Sequence, residues 1–215
     1  MQNRADTVVA AVADAIDSAR LDDICVALAN QGYCILDDAL RPELILALQE
    51  QARTLPRERF HEAGTGREQK HQRDARVRSD RILWLQRGSS AADRYLDFAE
   101  ALREGINNRL FLGLFDYEVH YACYGPGAFY GTHRDAFAGR RNRIVSTVLY
   151  LNSGWQDGQG GELLLYDDLS GSLLQRVQPV LNRFVLFLSE RFPHEVLPAV
   201  RDRYSLAGWF RVRES

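Results

Sequence analysis

The chain has 215 residues, 46% of them apolar and 26% charged, which is enough to bury one full core and ordinary for a soluble globular domain. A formal net charge of −2 gives no global pull toward nucleic acid or an anionic membrane. Three cysteines without a CxxC pair exclude a disulfide framework; Cys25, Cys34 and Cys123 read as small buried hydrophobes in a reducing compartment.

The opening MQNRADTVVAAVADA carries two Asp and no long apolar run, so it does not read as a signal peptide. No stretch reaches the ~20 apolar residues of a membrane span, and a cytoplasmic protein with no membrane contact is expected. Residues 5–20 place Val8, Val12 and Ile16 four apart, and residues 21–30 repeat the pattern with Leu21, Ile24, Cys25 and Leu28 before Gly32, predicting amphipathic helices. Residues 33–36 read as a short strand. Pro42 then opens a helix in the first turn, where its missing N–H costs nothing, with Leu44, Ile45, Leu48 and Ala52 on one face. These helices read as supports for a sheet.

Residues 56–81 are polar, Arg-rich and too long for a simple connection, so they read either as a loop that closes over a substrate or as a solvated flexible segment. His61 and His71, within it, have no partner at ligand spacing. A strand over 82–85 and a long helix over 91–110, striped by Tyr95, Ala99, Leu102, Ile106 and Leu110, follow. From residue 117 the pattern becomes short strands at 117–124, 130–137, 143–151, 162–166, 179–188, 194–198 and 203–213, with turn signals at 125–127, 152–154 and 157–161. Helices followed by strands predict an α+β fold. The expectation is a double-stranded β-helix (jelly roll) core over about 117–213, braced by helices within about 1–110, in a single domain spanning 1–215.

Chemistry concentrates in the last hundred residues. His133 and Asp135 are two apart, so on a strand both point to one face. With His194 they make two imidazoles and one carboxylate, the ligand set of a non-haem Fe(II) oxygenase with open coordination positions. Arg203 lies nine residues beyond His194 on the next apolar-alternating run, and its planar charged fork suits a carboxylate. Metal ligands plus a carboxylate clamp point to a keto-acid cosubstrate. Tyr150, on the 143–151 strand, can donate a phenolic hydrogen bond to the same carboxylate.

Several spaced motifs occur in one order: Arg78-Ser79-Asp80-Arg81-Ile82 with Trp84, Ala122-Cys123-Tyr124, Tyr130-x-x-His133-x-Asp135, Arg143-Ile144-Val145-Ser146 running into Tyr150-Leu151-Asn152, Gly161-Glu162-Leu163, and Pro193-His194-Glu195-Val196 with Arg203-Tyr204 and Trp209. Over about residues 77–211 the chain resembles the 2-oxoglutarate/Fe(II)-dependent dioxygenases, and most closely the prolyl 4-hydroxylases of the hypoxia-sensing (EGL-nine) type. The resemblance implies hydroxylation of a prolyl residue at C4, with 2-oxoglutarate and O2 as cosubstrates, succinate and CO2 as products, and ascorbate as an accessory reductant. It implies His133, Asp135 and His194 as iron ligands, Arg203 and Tyr150 on the distal carboxylate, and Tyr124, Tyr130 and Trp209 lining the pocket. It implies that Arg78, Asp80 and Arg143 serve the substrate side, with an Asp80–Arg143 salt bridge expected when the 56–81 loop closes. The partner it implies is a protein carrying the target proline; for bacterial relatives that is elongation factor Tu. Ala207 departs from the pattern, where those enzymes tend to carry Thr.

Three other functions compete. An AlkB-type nucleic-acid oxygenase would explain the Arg-rich 53–81 segment with Arg211 and Arg213, but its Arg-x-Asn-x-Thr-x-Arg signature is absent and the segment lacks interleaved aromatics for stacking bases. Hydroxylation of free proline or another metabolite needs only a smaller pocket. A non-catalytic jelly-roll binding module would have lost a metal ligand, yet all three are present.

Overall fold

The computed structural model describes residues 16–63, 77–136 and 142–213. Its elements run, in chain order, α1 (Ser18–Asn30), β1 (Tyr33–Leu36), α2 (Pro42–Thr54), a 3-10 turn (Arg57–Arg59), β2 (His61–Glu62), β3 (Arg81–Trp84), α3 (Ser90–Leu110), β4 (Asp116–Tyr124), β5 (Tyr130–His133), β6 (Arg143–Tyr150), β7 (Leu163–Tyr166), β8 (Leu173–Val177), β9 (Phe184–Leu188), β10 (His194–Val196) and β11 (Arg203–Arg211). The strands form two antiparallel sheets, one of seven in the order β1-β9-β6-β11-β4-β3-β2 and one of four in the order β5-β10-β7-β8. This is the expected jelly roll braced by helices.

Period-2 alternation decides what each sheet face meets. On β4, β6, β9 and β11 one parity (Val119, Tyr121, Val145, Leu149, Phe184, Leu186, Leu206, Phe210) packs against the helices. The other parity (Ala122, Tyr124, Tyr150, Val185, Phe187) faces the four-stranded sheet and meets Leu163, Leu165, Val177 and Val196 there. Arg203, Ser205, Ala207 and Trp209 share that inward parity on β11. The helices supply Ile24, Leu28, Leu44, Leu48, Leu102 and Ile106 to the outer core, all at 2% exposure or less. Burying each contributes about 1.5–3 kcal/mol before entropy is counted. The α1–α3 contact is close because Gly105 has no side chain: a Cβ there would lie 2.6 Å from a Leu21 methyl.

Several expectations shift. The first helix is capped by Asp17, whose side chain accepts from Arg20 N at 2.7 Å, so it starts at Ser18 and runs through the second predicted helix. Val8 and Val12 lie outside the described residues. The 56–81 segment is not all loop: it holds the 3-10 turn and β2, and β2 pairs with β3. Residues 64–76 of it, with His71, lie outside the described residues, as do 137–141. The strand predicted over 179–188 begins only at Phe184, because Asn182 turns the chain with φ +65°. Strand β8 was not expected. Its LLQRV sequence exposes Leu173 and Leu174 side by side and buries only Val177, so it shows no alternation to read. Among the described residues no helix is long and apolar enough to cross a membrane. The three cysteines are free, Cys25 and Cys34 buried and Cys123 half-buried.

Candidate active site

His133 ends β5 and His194 begins β10, and the two strands pair so that these residues are directly opposed. Asp135 follows in the bend after β5. One donor atom from each of the three lies within 4.8 Å of the others. The His133 Nε2 is 3.7 Å from Asp135 Oδ1, and the His194 Nε2 is 3.5 Å from Asp135 Oδ2.

Backbone carbonyls set the imidazole tautomers. His133 Nδ1 lies 2.8 Å from the Gly131 carbonyl and His194 Nδ1 lies 3.0 Å from that of Phe192. A proton on each Nδ1 satisfies those carbonyls and leaves both Nε2 lone pairs aimed at the carboxylate side, the state in which histidine binds a metal. Burial, then the nearby His133, push the His194 pKa down to about 4, so His194 is neutral at physiological pH. Burial alone would raise the Asp135 carboxyl; the adjacent imidazoles, His194 foremost, outweigh it and hold Asp135 well below the usual carboxylate range. Ser146 Oγ donates to Asp135 Oδ2 at 2.7 Å and shares a 2.8 Å hydrogen bond with Ser189. Two imidazoles and one oriented carboxylate fit a divalent iron, since this donor set leaves coordination positions open.

Arg203 is the largest fully buried side chain, 1% exposed. Its Nε donates to the Gly161 carbonyl at 2.8 Å, and its Nη1 is 3.4 Å from Ser205 Oγ. Gly161 sits at φ +73°, and a Cβ there would lie 3.2 Å from Arg203 Cδ, so the turn that offers this carbonyl requires glycine. The guanidinium carbon lies 4.9 Å from the Tyr124 ring and 5.0 Å from the Tyr150 ring. None of the described salt bridges supplies Arg203 with a carboxylate. The Tyr150 hydroxyl beside it is buried and lacks a hydrogen-bond partner. A buried cation with no carboxylate among the described residues, beside a buried hydroxyl with a free donor, fits an anionic ligand. Ser146 and Tyr150 share the inward face of β6, four residues or roughly 13 Å apart along the strand. The triad and the clamp therefore open on one inter-sheet space.

The other expected residues divide. Tyr124 lies beside the Arg203 guanidinium. Trp209 pairs in register with Ser146, at the triad end, and the Arg143 guanidinium stacks on it at 3.6 Å. Tyr130 lies at the triad, its ring stacked on His133. In this structure Asp80 is held bidentate by Arg78 at 2.6 and 2.7 Å, two residues away on the same face of an extended segment, and Arg143 pairs with Glu118 at 2.7 Å; the Asp80–Arg143 pair was expected only on loop closure. Sequence reasoning missed His120, 3% exposed, whose Nδ1 has no partner; its inward parity with Ala122 and Tyr124 was the available signal. A separate cavity of about 480 Å³ lies on the helix side of the large sheet, over Cys123 and Tyr204, and its Arg57 and Arg81 are already bound to Asp202 and the Phe60 carbonyl.

A sequence profile of the 2OG-Fe(II) oxygenase superfamily matches residues 119–211. A Pseudomonas putida prolyl-4-hydroxylase superposes with a TM-score of 0.81 at 41% identity, covering 90% of this chain and 100% of that one. The chain belongs to the prolyl 4-hydroxylase family of the 2-oxoglutarate/Fe(II) oxygenases. This family member also superposes, at TM-score 0.79 and 27% identity over 90% of each chain, on a Trichoplax adhaerens prolyl hydroxylase solved with a peptide of the hypoxia inducible factor oxygen degradation domain. Human Egl nine homolog 1 is 26% identical over 201 residues, 88% of this family member and 46% of that protein. The chain spans about half the length of the curated relatives it matches.

Proposed function

We propose that the chain is a 2-oxoglutarate- and Fe(II)-dependent dioxygenase that hydroxylates C4 of a prolyl residue in a protein substrate, with release of succinate and CO2. The observation that carries this reading is the pairing, in one inter-sheet space, of the His133–Asp135–His194 donor set with a buried Arg203 that has no carboxylate among the described residues. Fe(II), bound by that triad, would couple O2 reduction to oxidative decarboxylation of the keto acid and hydroxylation of the substrate.

The residues divide the remaining work. Arg203 takes the distal carboxylate of 2-oxoglutarate, with the Tyr150 hydroxyl as second donor, and the Tyr124 ring walls that end. Holding the keto acid at its far end aims its other end at the triad and cuts the entropy of the chelating pose. Ser146 holds the Asp135 carboxylate pointed inward, while the Gly131 and Phe192 carbonyls, each at an Nδ1, orient both rings with Nε2 toward it. Phe187 and Trp209 exclude water beside the triad.

Elongation factor Tu is the client we test first, on the strength of the resemblance to bacterial members. Ascorbate is the reductant we add to the assay, and the cytoplasm is where three free thiols fit. The experiment is incubation with Fe(II), 2-oxoglutarate and air, of purified elongation factor Tu and separately of a bacterial peptide pool, followed by mass spectrometry. One added oxygen on a proline, absent without 2-oxoglutarate, is expected. Uncoupled succinate release with no oxygenated proline in either sample removes the prolyl assignment.

A further inference from the structure

We infer that Arg78 is a positioning residue for His133, acting through the ring of Tyr130; this rests on the metal-centre reading above. Tyr130 stacks on the His133 imidazole, with ring centroids 3.5 Å apart and planes 14° from parallel. The Arg78 guanidinium lies 4.2 Å from the centroid of the same Tyr130 ring. Two groups that close cannot share a ring face, so the phenol is sandwiched between cation and imidazole. The outer layer is rigid. Asp80, 1% exposed, takes Arg78 Nε and Nη2 in a two-point grip. The backbone around it is stitched to β5: Arg78 bridges Tyr130, Gly131 N donates to Val77 O at 2.8 Å, Ser79 N to Phe129 O at 3.0 Å, and Phe129 N to Ser79 Oγ at 3.1 Å.

The two histidines differ in how their rings are held. His194 lies inside the roll, 6% exposed at its side chain, against the edge-on Phe187 ring at 4.8 Å. His133 ends a four-residue strand and is 16% exposed at its side chain. The Gly131 carbonyl holds one ring atom of His133, which still allows the plane to tilt about that contact. The Tyr130 face removes the tilt, and Arg78 keeps Tyr130 from swinging out. A cation over a ring face is held by the ring quadrupole, and removal of groups that orient a metal ligand costs about 10–100-fold in metal affinity. The chain of contacts Asp80–Arg78–Tyr130–His133 therefore makes the 77–80 segment and the metal ligand one unit. It also occupies both faces of Tyr130, leaving only the ring edge and hydroxyl for a substrate.

The test uses the full-length chain stripped of metal and titrated with Co(II), read by calorimetry and by the Co(II) ligand-field spectrum. Arg78→Ala and Asp80→Asn are expected to weaken Co(II) binding about 10-fold and alter the spectrum. Tyr130→Phe, which keeps the ring, is expected to bind as wild type, and Tyr130→Ala to fall with Arg78→Ala. Should Arg78→Ala not fold, Arg78→Gln carries the same expectation. Wild-type affinity and spectrum in the Arg78 and Asp80 variants would overturn the inference, as would equal losses in Tyr130→Phe and Tyr130→Ala. If instead wild type and His194→Ala bind Co(II) equally, the metal-centre reading itself falls, which is a different result.

Discussion

Arg203→Met removes the guanidinium and leaves an unbranched apolar side chain in the same buried slot. In the ligand-free protein the change loses the Nε hydrogen bond to Gly161, worth about 1 kcal/mol, and relieves a desolvated charge that no carboxylate among the described residues offsets. The two terms oppose, so stability in denaturant should stay within about 1 kcal/mol of wild type or rise. With 2-oxoglutarate bound the balance reverses, because the distal carboxylate is then buried without its partner. Breaking a buried pair in this way costs about 3–5 kcal/mol. At 1.4 kcal/mol per tenfold, the 2-oxoglutarate Kd should rise by roughly two to three and a half orders of magnitude. Arg203 touches none of the three triad residues, so Co(II) affinity should not change. Anaerobic calorimetry of the Mn(II)-loaded protein reads the first quantity, Co(II) titration the second and urea unfolding the third. A parallel loss of metal affinity would refute the clamp, and so would destabilisation above about 3 kcal/mol, which would mean that Arg203 already has an internal ionic partner.

Tyr150→Phe should weaken 2-oxoglutarate binding by about 1.5–3 kcal/mol, the range for a hydrogen bond to a charged group, while the ligand-free protein changes by less than about 1 kcal/mol, since the hydroxyl it loses has only the Arg203 guanidinium beside it. Ser146→Ala should lower Co(II) affinity 10- to 100-fold by freeing Asp135, read by the same titration; an unchanged affinity would remove Ser146 from the site's support. His120 gives a pH signature. Burial pushes its pKa down to about 3 from an unfolded value of 6.5, so between those limits the unfolded chain binds more protons. The His120 contribution to stability is complete above pH 6.5 and is lost as pH falls toward 3, by up to about 1.4 kcal/mol per pH unit. His120→Met should flatten that part of the slope in urea unfolding of the metal-free protein from pH 6.5 to 4.5; identical slopes would place the acid sensitivity elsewhere.

The fold and the triad were legible because their signals are local. A two-residue spacing fixes His133 and Asp135 near each other, and the alternation on β4, β6 and β11 states which side chains face inward. What the sequence leaves open is information that lives in pairing. Asp80 could be matched to Arg143 by pattern, but only the extended backbone at 78–80 shows that Arg78 holds it in this structure. Trp209 shares a strand and a face with Arg203, and only the register with Ser146 shows that it sits at the triad end. Apolar Val180 and Leu181 looked like the start of β9, yet they belong to a turn whose backbone bonds to Asn152. β8 is an edge strand with one exposed face and little buried on the other, which is why composition did not mark it.

The opposition of His133 and His194 across β5 and β10 has a mechanical side. An ion held by both imidazoles is also a removable staple at the rim of the four-stranded sheet, joining segments far apart along the chain. Iron supply would then set the durability of the molecule as well as its turnover. Starved of metal, the rim would breathe more often, hydrogen exchange along β5 would quicken, and proteases would find the idle protein before the loaded one.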